Sequence, residues 1–258
     1  MKYLFANFAH SISDNNNKSQ YIMMTGKNIV LNVPHSSING IFDDNIGKWP
    51  DNPYFINEHV RKHTDWWTDM LFTVRGEENV IKVVFPYSKF VCDAERMEND
   101  GLEEQGKGII YTHFGGIERG VLDDKAKAFL LDAWQAHHEE LKSHLNENSV
   151  LINCHSFSSD LGNTDICIGF NDDWSFDKRL VDDVASIFKS YGYSVAFNAP
   201  YSNSVAPKTD FEYKSIVIGV NKRIYMNEEL LILEKNQIKW IRWKGCLRKI
   251  YQRVKEGR

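Results

Sequence analysis

Two histidines follow strand-like runs of the sequence in the same way. His35 ends the run 29–35, I-V-L-N-V-P-H, His155 ends the run 150–155, V-L-I-N-C-H, and a serine follows each. Runs rich in Val, Ile and Leu are typical of buried strands. Ligands of α/β sheets gather outside the carboxyl ends of the strands, so the two imidazoles are expected to converge. This repetition favours a divalent metal ion, whereas either histidine alone would be read as a hydrogen-bonded structural residue.

The predicted metal site needs a third ligand. Catalytic zinc sites commonly have three protein ligands and leave the fourth position to water. The carboxylate candidates are Asp65, in the helix predicted after the first strand, and Asp43, nearer to His35. One zinc ion is the first choice and another divalent metal the alternative. Zinc lowers the pKa of water to about 7 and polarises a carbonyl, which indicates hydrolysis at neutral pH. The sequence has no H-E-x-x-H, which excludes helix-borne zincin chemistry.

A group of charged residues follows the predicted strand 80–86. Lys89, Asp93, Glu95 and Arg96 lie within eight positions of one another. A guanidinium just past a strand is a natural bidentate partner for a substrate carboxylate. The alternative is an Asp93–Arg96 ion pair that fixes the loop. The sequence leaves both open.

The glycine-rich segment 106–116 has neither a P-loop nor a dinucleotide-binding pattern. It is therefore no evidence of a nucleotide site. We expect a flexible loop that covers the substrate, with Tyr111 and His113 as contacts.

The remaining periodicity predicts strands that alternate with helices. This pattern is typical of an α/β fold with a mainly parallel or mixed central sheet and helices on both faces. We expect one domain over residues 1–258. Helix 54–72 would present Asp65 and Asp69 on one face. The three histidines of helix 121–145 are expected on its surface or edge. Further strands are predicted at 165–170, 193–198 and 215–221, and further helices at 180–188 and 238–254.

Composition excludes several classes of protein. The 258 residues are 42% hydrophobic and 26% charged with a net charge of −4, so nucleic acid is not an expected partner. No apolar run approaches the roughly 20 residues that span a bilayer, and no membrane partner is expected. Four well-separated cysteines indicate reduced packing residues in a cytoplasmic protein. We expect residues 1–10 not to be a signal peptide and the Asn-rich residues 13–20 to form a loop. The oligomeric state is unknown from the sequence.

Several motifs together resemble the N-formylglutamate amidohydrolase family, which is similar in fold to zinc carboxypeptidases. The resemblance runs from about residue 29 to residue 230. Its ordered pieces are N-V-P-H-S-S, H-T-D-W-W-T-D, F-P-Y-S-K-F-V-C-D-A-E-R, N-C-H-S-F, D-I-C-I-G-F, N-A-P-Y-S and S-I-V-I-G-V-N-K-R-I-Y-M. The resemblance implies a zinc-dependent deacylase that cleaves the amide of a small N-formyl amino acid to formate and the free amino acid.

The resemblance also implies roles for single residues. His35, Asp65 and His155 would bind zinc. Arg96 would hold a substrate carboxylate or polarise the scissile carbonyl. Asn198 and Tyr201 would line the pocket.

Three positions depart from the family. Gly219 stands where the family usually has a glutamate that looks like the general base. Lys89 replaces an arginine and lacks its planar fork, which puts glutamate specificity in question. Asn153 replaces an acid, so His155 is expected to lack a supporting carboxylate. Another acid such as Glu212 is a candidate substitute for the missing base.

Two other functions remain open from the sequence. A zinc-retaining, catalytically weak protein that binds amino-acid-like ligands would explain Gly219. A nucleophile pair of Cys154 with His155, or of Ser36 with His35, is the third reading. Adjacent strand residues point to opposite faces, so Cys154 is expected to turn away from His155.

Overall fold

A mixed six-stranded sheet forms the centre of the computed structural model, which describes residues 27–77, 79–202, 206–234 and 236–256. The strands are β1 (Ile29–Val33), β2 (Val80–Val84), β3 (His113–Phe114), β4 (Ile117–Glu118), β5 (Val150–Phe157), β6 (Ile166–Gly169), β7 (Val195–Phe197), β8 (Lys214–Asn221), β9 (Met226–Asn227) and β10 (Ile232–Leu233). The order in the sheet is β2-β1-β5-β8-β6-β7, and β6 and β7 run opposite to the other four strands. Two hairpins, β3–β4 and β9–β10, lie outside it.

Helices cover both faces of this sheet. The helices are α1 (Arg61–His63), α2 (Thr68–Leu71), α3 (Asp124–Ser143), α4 (Lys178–Ser190) and α5 (Gln237–Glu256), with a π-helix at Phe55–Val60 and 3₁₀ turns at Glu103–Gln105, Ser159–Leu161 and Lys222–Ile224. On one face, α2, α4 and α5 pack on the sheet, and α3 packs on the other. The α/β class and the mixed sheet predicted from the sequence are confirmed. None of the described helices is long and apolar enough to cross a bilayer.

Alternation along the strands separates two apolar layers. Leu31 and Ile152 belong to the core under α4 and α5, whereas Val30 and Leu151 pack toward α3. Cys154 belongs to the core under α4 and α5, with Leu31 and Ile152. Its neighbour His155 points to the opposite face because successive strand side chains alternate. All four cysteines are free and buried, which agrees with the predicted packing role.

The predicted continuous helix 54–72 is wrong. The chain leaves the helical conformation at Thr64 and passes through left-handed Trp67 (φ 63°) before α2 begins. Between them, the backbone N–H of Asp65 donates to the carbonyl oxygen of His35 at 2.9 Å. This hydrogen bond to the segment after β1 takes the place of a hydrogen bond within a helix. Asp65 therefore lies in the break and does not share a helix face with Asp69.

The expectation for the histidines of the helix predicted over 121–145 also needs correction. His137 and His138 are buried, and their Nε2 atoms lie 2.9 Å from Asn32 Oδ1 and the Ala94 carbonyl oxygen, because α3 turns this edge toward the sheet. The segment 106–116 enters the β3–β4 hairpin. The predictions for residues 1–10 and 13–20 lie outside the described residues.

Candidate metal centre

The sheet order brings the two histidine-bearing strands together. β1 pairs in parallel with β5, with Asn32 opposite Asn153, so both strands reach the same edge of the sheet. His35 follows two residues after β1, and His155 lies near the end of β5. Their ring centroids are 5.2 Å apart. The convergence predicted from the sequence is therefore present.

Asp65 completes a buried group of three with these histidines, called the trio below. One donor atom from each residue lies within 4.8 Å of the others, and no second group of this kind occurs among the described residues. Oδ2 of Asp65 is 2.8 Å from Nδ1 of His155 and 3.8 Å from Nδ1 of His35. The Ser156 hydroxyl donates to the other carboxylate oxygen at 3.2 Å. Asp43, the alternative acid, is exposed and accepts backbone N–H groups of its own turn.

The trio fits a divalent metal ion. Two imidazole nitrogens and one carboxylate oxygen are donors that zinc takes, and a fourth position would remain for water. All three side chains are at most 9% exposed, which removes competing solvent. The Nε2 atom of His35 is occupied by Asp93, which leaves Nδ1 to face Asp65. Metal-binding histidines in proteins almost always have such a partner on the other nitrogen.

Asp93 is the buried support of His35. Its Oδ1 lies 2.7 Å from Nε2 of His35, and its Oδ2 accepts from the Tyr111 hydroxyl at 2.6 Å. Burial by itself would raise the pKa of Asp93, but the charges of His35, Lys89 and Arg96 hold it well below its usual range. Asp93 is therefore ionised and accepts the His35 N–H.

Glu95 contacts His155, a role that was not predicted for it from the sequence. Its Oε1 is 2.8 Å from Nε2 of His155, and its Oε2 is 3.8 Å from Nδ1 of His35. Burial opposes the charge of Glu95, but His155 lowers its pKa. Burial likewise opposes the charge of His155, yet Glu95 and Asp65 raise its pKa to about 10. A D-x-E spacing after a strand was the only sequence signal for this contact.

A cavity of about 570 Å³ opens over the trio. Its cationic side chains are Lys89, Arg96 and Lys208, and its apolar wall includes Trp174 and Val217. This volume is in the range of small-molecule sites. The sequence reasoning missed Lys208, which lies more than fifty residues from any other predicted cation of the site.

Arg96 lines the cavity while it is also ion-paired. Its guanidinium lies 3.6 Å from both Asp93 and Asp100. Its Nε is buried without a hydrogen-bond partner. The sequence left open whether Arg96 forms an ion pair that fixes the loop or faces the substrate. Its placement is compatible with both roles.

Of three other residues predicted to contact the substrate, one lines the cavity and two do not. Tyr201 lines the cavity, with its ring 6.2 Å from that of His155. Tyr111 is 1% exposed behind Asp93, so it reaches the site through that carboxylate rather than as part of the cavity wall. Asn198 is exposed outside the cavity lining and accepts the Phe170 N–H at 2.9 Å, which holds the turn before Tyr201.

Gly219 and Asn153, the two strand residues that depart from the family pattern, have different neighbours in the sheet. Gly219 pairs directly with His155 between β8 and β5, and the three atoms nearest to a Cβ there would belong to Cys167, Phe157 and Tyr201, at 3.4–3.6 Å. Asn153 accepts from Asn32 at 2.8 Å. His155 nevertheless has two carboxylate partners, so the expected lack of support is wrong.

Neither the substitute base nor the thiol suggested by the sequence reaches the trio. Glu212 is exposed and outside the cavity lining. Cys154 is buried in the apolar core, and burial raises the pKa of its thiol well above the usual value. The thiol therefore faces away from the His155 ring.

Comparison with known proteins identifies a family and similar folds. A sequence profile of the N-formylglutamate amidohydrolase family matches residues 28–226. The fold is similar to a crystal structure of N-formylglutamate amidohydrolase from Ralstonia eutropha JMP134, with a TM-score of 0.72, 17% identity, and coverage of 91% of this chain and 97% of that one. It is also similar to the structure of a gene product from Agrobacterium tumefaciens, with a TM-score of 0.58, 14% identity, and coverage of 89% and 92%. No curated protein sequence matches the chain.

Proposed function

The chain belongs to the N-formylglutamate amidohydrolase family, and from this membership we propose that it is a zinc-dependent hydrolase of small N-acyl amino acids. The substrate is of the N-formylglutamate type, and the products are formate and the free amino acid. The observation that carries the proposal is the buried trio of His35, Asp65 and His155 beneath a cavity with cationic walls. We place the activity in the cytoplasm, where four free cysteines remain reduced.

His35, Asp65 and His155 would hold the ion. When bound, zinc supplies a Lewis acid that polarises the scissile carbonyl and lowers the pKa of water to about 7. Asp93 accepts the Nε2 proton of His35 and so leaves the Nδ1 lone pair, 3.8 Å from Asp65 Oδ2, free to bind the ion. Ser156 fixes the other oxygen of Asp65. The chain thereby fixes its three donor atoms before any ligand arrives.

Two cationic side chains are suited to hold the substrate carboxylates. Lys89 is half-buried in the cavity wall and has no carboxylate within ion-pair distance among the described residues. Arg96 is oriented by Asp93 and Asp100 and has a buried Nε without a hydrogen-bond partner. A substrate with an α-carboxylate and a side-chain carboxylate would supply a partner for each cation. Trp174 and Val217 would cover the aliphatic part of the substrate.

The alternative function is a zinc-retaining binder of amino-acid-like ligands. Gly219 favours it, because the position beside His155 has no carboxylate side chain. The two functions differ in turnover but not in metal or ligand binding.

Formate release by the purified, zinc-loaded protein tests the proposal. N-formylglutamate, N-formylaspartate, N-formylleucine and N-acetylglutamate are the substrates, and formate or free amine is quantified. We expect one zinc per chain, formate release that chelation abolishes and zinc restores, and preference for the acidic formyl substrates. One zinc per chain and calorimetric binding of N-formylglutamate without any turnover would establish the binder instead.

A further inference from the structure

Glu95 occupies a distinctive place in the cavity. Among the described residues that line it, Glu95 is the one carboxylate that contacts a histidine of the trio without belonging to the trio. Its side chain is 16% exposed, so it is shielded but still open to the cavity. The contact joins the loop after β2 to the end of β5, two parts of the chain 60 positions apart.

The two oxygens of Glu95 point at different partners. Oε1 is 2.8 Å from Nε2 of His155, the ring nitrogen remote from Asp65. Oε2 is 3.8 Å from Nδ1 of His35, the nitrogen that also lies 3.8 Å from Asp65. One oxygen can therefore orient a histidine of the trio while the other faces the space where the trio meets the cavity.

The strand position beside His155 supplies no such group. Gly219 is the residue in register with His155, so a side chain there would stand next to the imidazole on the same face of the sheet. With glycine at 219, hydrolysis has no carboxylate from β8. Glu95 approaches His155 from the loop after β2 instead.

We propose that Glu95 is the catalytic proton acceptor of this hydrolase and at the same time the residue that orients His155. The proposal rests on the amidohydrolase function proposed above. As the water oxygen bonds to the formyl carbon, one water proton passes to Oε2 of Glu95. Glu95 then gives this proton to the amide nitrogen as the C–N bond breaks. The formic acid released transfers its proton to the free amine, which leaves formate and an ammonium group.

Two substitutions separate the two roles. Glu95→Gln keeps an oxygen that can accept from His155 but removes the proton acceptor. Glu95→Ala removes both. Glu98→Gln is the matched control, since it makes the same change three residues on, at an exposed side chain outside the cavity lining. For each variant we would measure zinc affinity by competition with a chromophoric chelator, and kcat and KM for formate release separately.

We expect Glu95→Gln to bind zinc within about threefold of the unaltered protein, with a similar KM and a kcat lower by about 10²- to 10⁴-fold. Glu95→Ala should lose the same turnover and also bind zinc about 10- to 100-fold more weakly, because His155 loses its partner. The double variant Glu95→Gln with Gly219→Glu should regain at least tenfold in kcat over Glu95→Gln. The Glu98→Gln control should match the unaltered protein throughout.

A normal kcat in Glu95→Gln would overturn the proposal, and so would loss of zinc from Glu95→Gln, which would make Glu95 a ligand. If the unaltered, zinc-loaded protein turns over no N-acyl amino acid, the proposed function fails and the proton-transfer role falls with it. The zinc affinities of Glu95→Ala and Glu95→Gln test the orienting role independently. Equal affinities would refute that role.

Discussion

Nε2 of His35 lies 2.7 Å from Oδ1 of Asp93, and both side chains are buried. The Tyr111 hydroxyl, at 2.6 Å from the other Asp93 oxygen, extends this chain of contacts. The sequence suggested Asp93 as part of a loop ion pair and Tyr111 as a substrate contact. In the structure, Asp93 contacts His35 directly and Tyr111 contacts His35 through Asp93. Asp93 therefore supports the metal site by orienting His35.

Asp93→Asn should weaken zinc binding by about 10- to 100-fold, because an amide is a poorer acceptor for the His35 N–H than a carboxylate. Tyr111→Phe should weaken it less, since it removes one hydrogen bond to Asp93 and leaves the carboxylate in place. Zinc competition with a chromophoric chelator measures both. Unchanged affinity in Asp93→Asn would show that the orientation of His35 does not depend on this carboxylate.

His35→Ala and His155→Ala should each abolish one-to-one zinc binding at micromolar protein, because each removes one of three donors. Zinc content after dialysis, measured by mass spectrometry, checks this. His113→Ala is the control, as His113 is exposed and outside the cavity lining. Full zinc content in both variants would mean that the ion is held elsewhere.

Lys89→Met should raise KM for N-formylglutamate by about tenfold or more, because a charged hydrogen bond to a substrate carboxylate is lost. The KM for N-formylleucine should change less, since that substrate has one carboxylate. Lys125→Met removes a charge from exposed α3 and serves as control. Equal changes for both substrates would place Lys89 at the α-carboxylate instead of the side-chain carboxylate.

Gly219→Glu in the otherwise unaltered protein should change kcat by less than tenfold, because Glu95 already serves as proton acceptor. The nearest atoms to a Cβ at 219 are 3.4–3.6 Å away, so the strand can carry a side chain there. Steady-state formate release measures the effect. A gain of a hundredfold or more would instead identify the native chain as a protein that lacks its base.

Asp165→Asn should lower the free energy of unfolding by about 1–2 kcal/mol at neutral pH. Asp165 accepts from Ser194 and pairs with Arg223 at 2.9 Å. Burial by itself would raise its pKa, but the Ser194 and Arg223 contacts lower it. This stabilisation is therefore present above the unfolded pKa of about 3.9 and is lost as pH falls through the lower folded value.

Urea unfolding at several pH values checks this dependence. The difference between the unaltered protein and Asp165→Asn should be constant above about pH 5 and should shrink as the pH falls below about 4. Asp172→Asn, at an exposed position, is the control. A difference that stays the same at low pH would contradict an ionised role for Asp165.

The amino-acid sequence by itself determined the six strands of the central sheet and the placement of the two histidines, but not the two small hairpins. β1 and β5 are mainly apolar runs that are buried along their whole length, as expected of a sheet covered on both faces, and position along such a run sets which face of the sheet a residue points to. The periodicity of α3 and α4 likewise predicted both helices. These are local properties, which neighbouring residues decide.

Only the tertiary structure decided how distant segments meet. A helical pattern over residues 54–72 contains no signal for its break, because the competing hydrogen bond comes from His35, thirty positions away in sequence. The contact of Glu95 likewise has no sequence signal beyond its D-x-E spacing, because its partner His155 is 60 positions distant and is brought near by the strand order β2-β1-β5. Contacts between remote residues depend on packing and strand order, and neither is encoded in any short stretch of the chain.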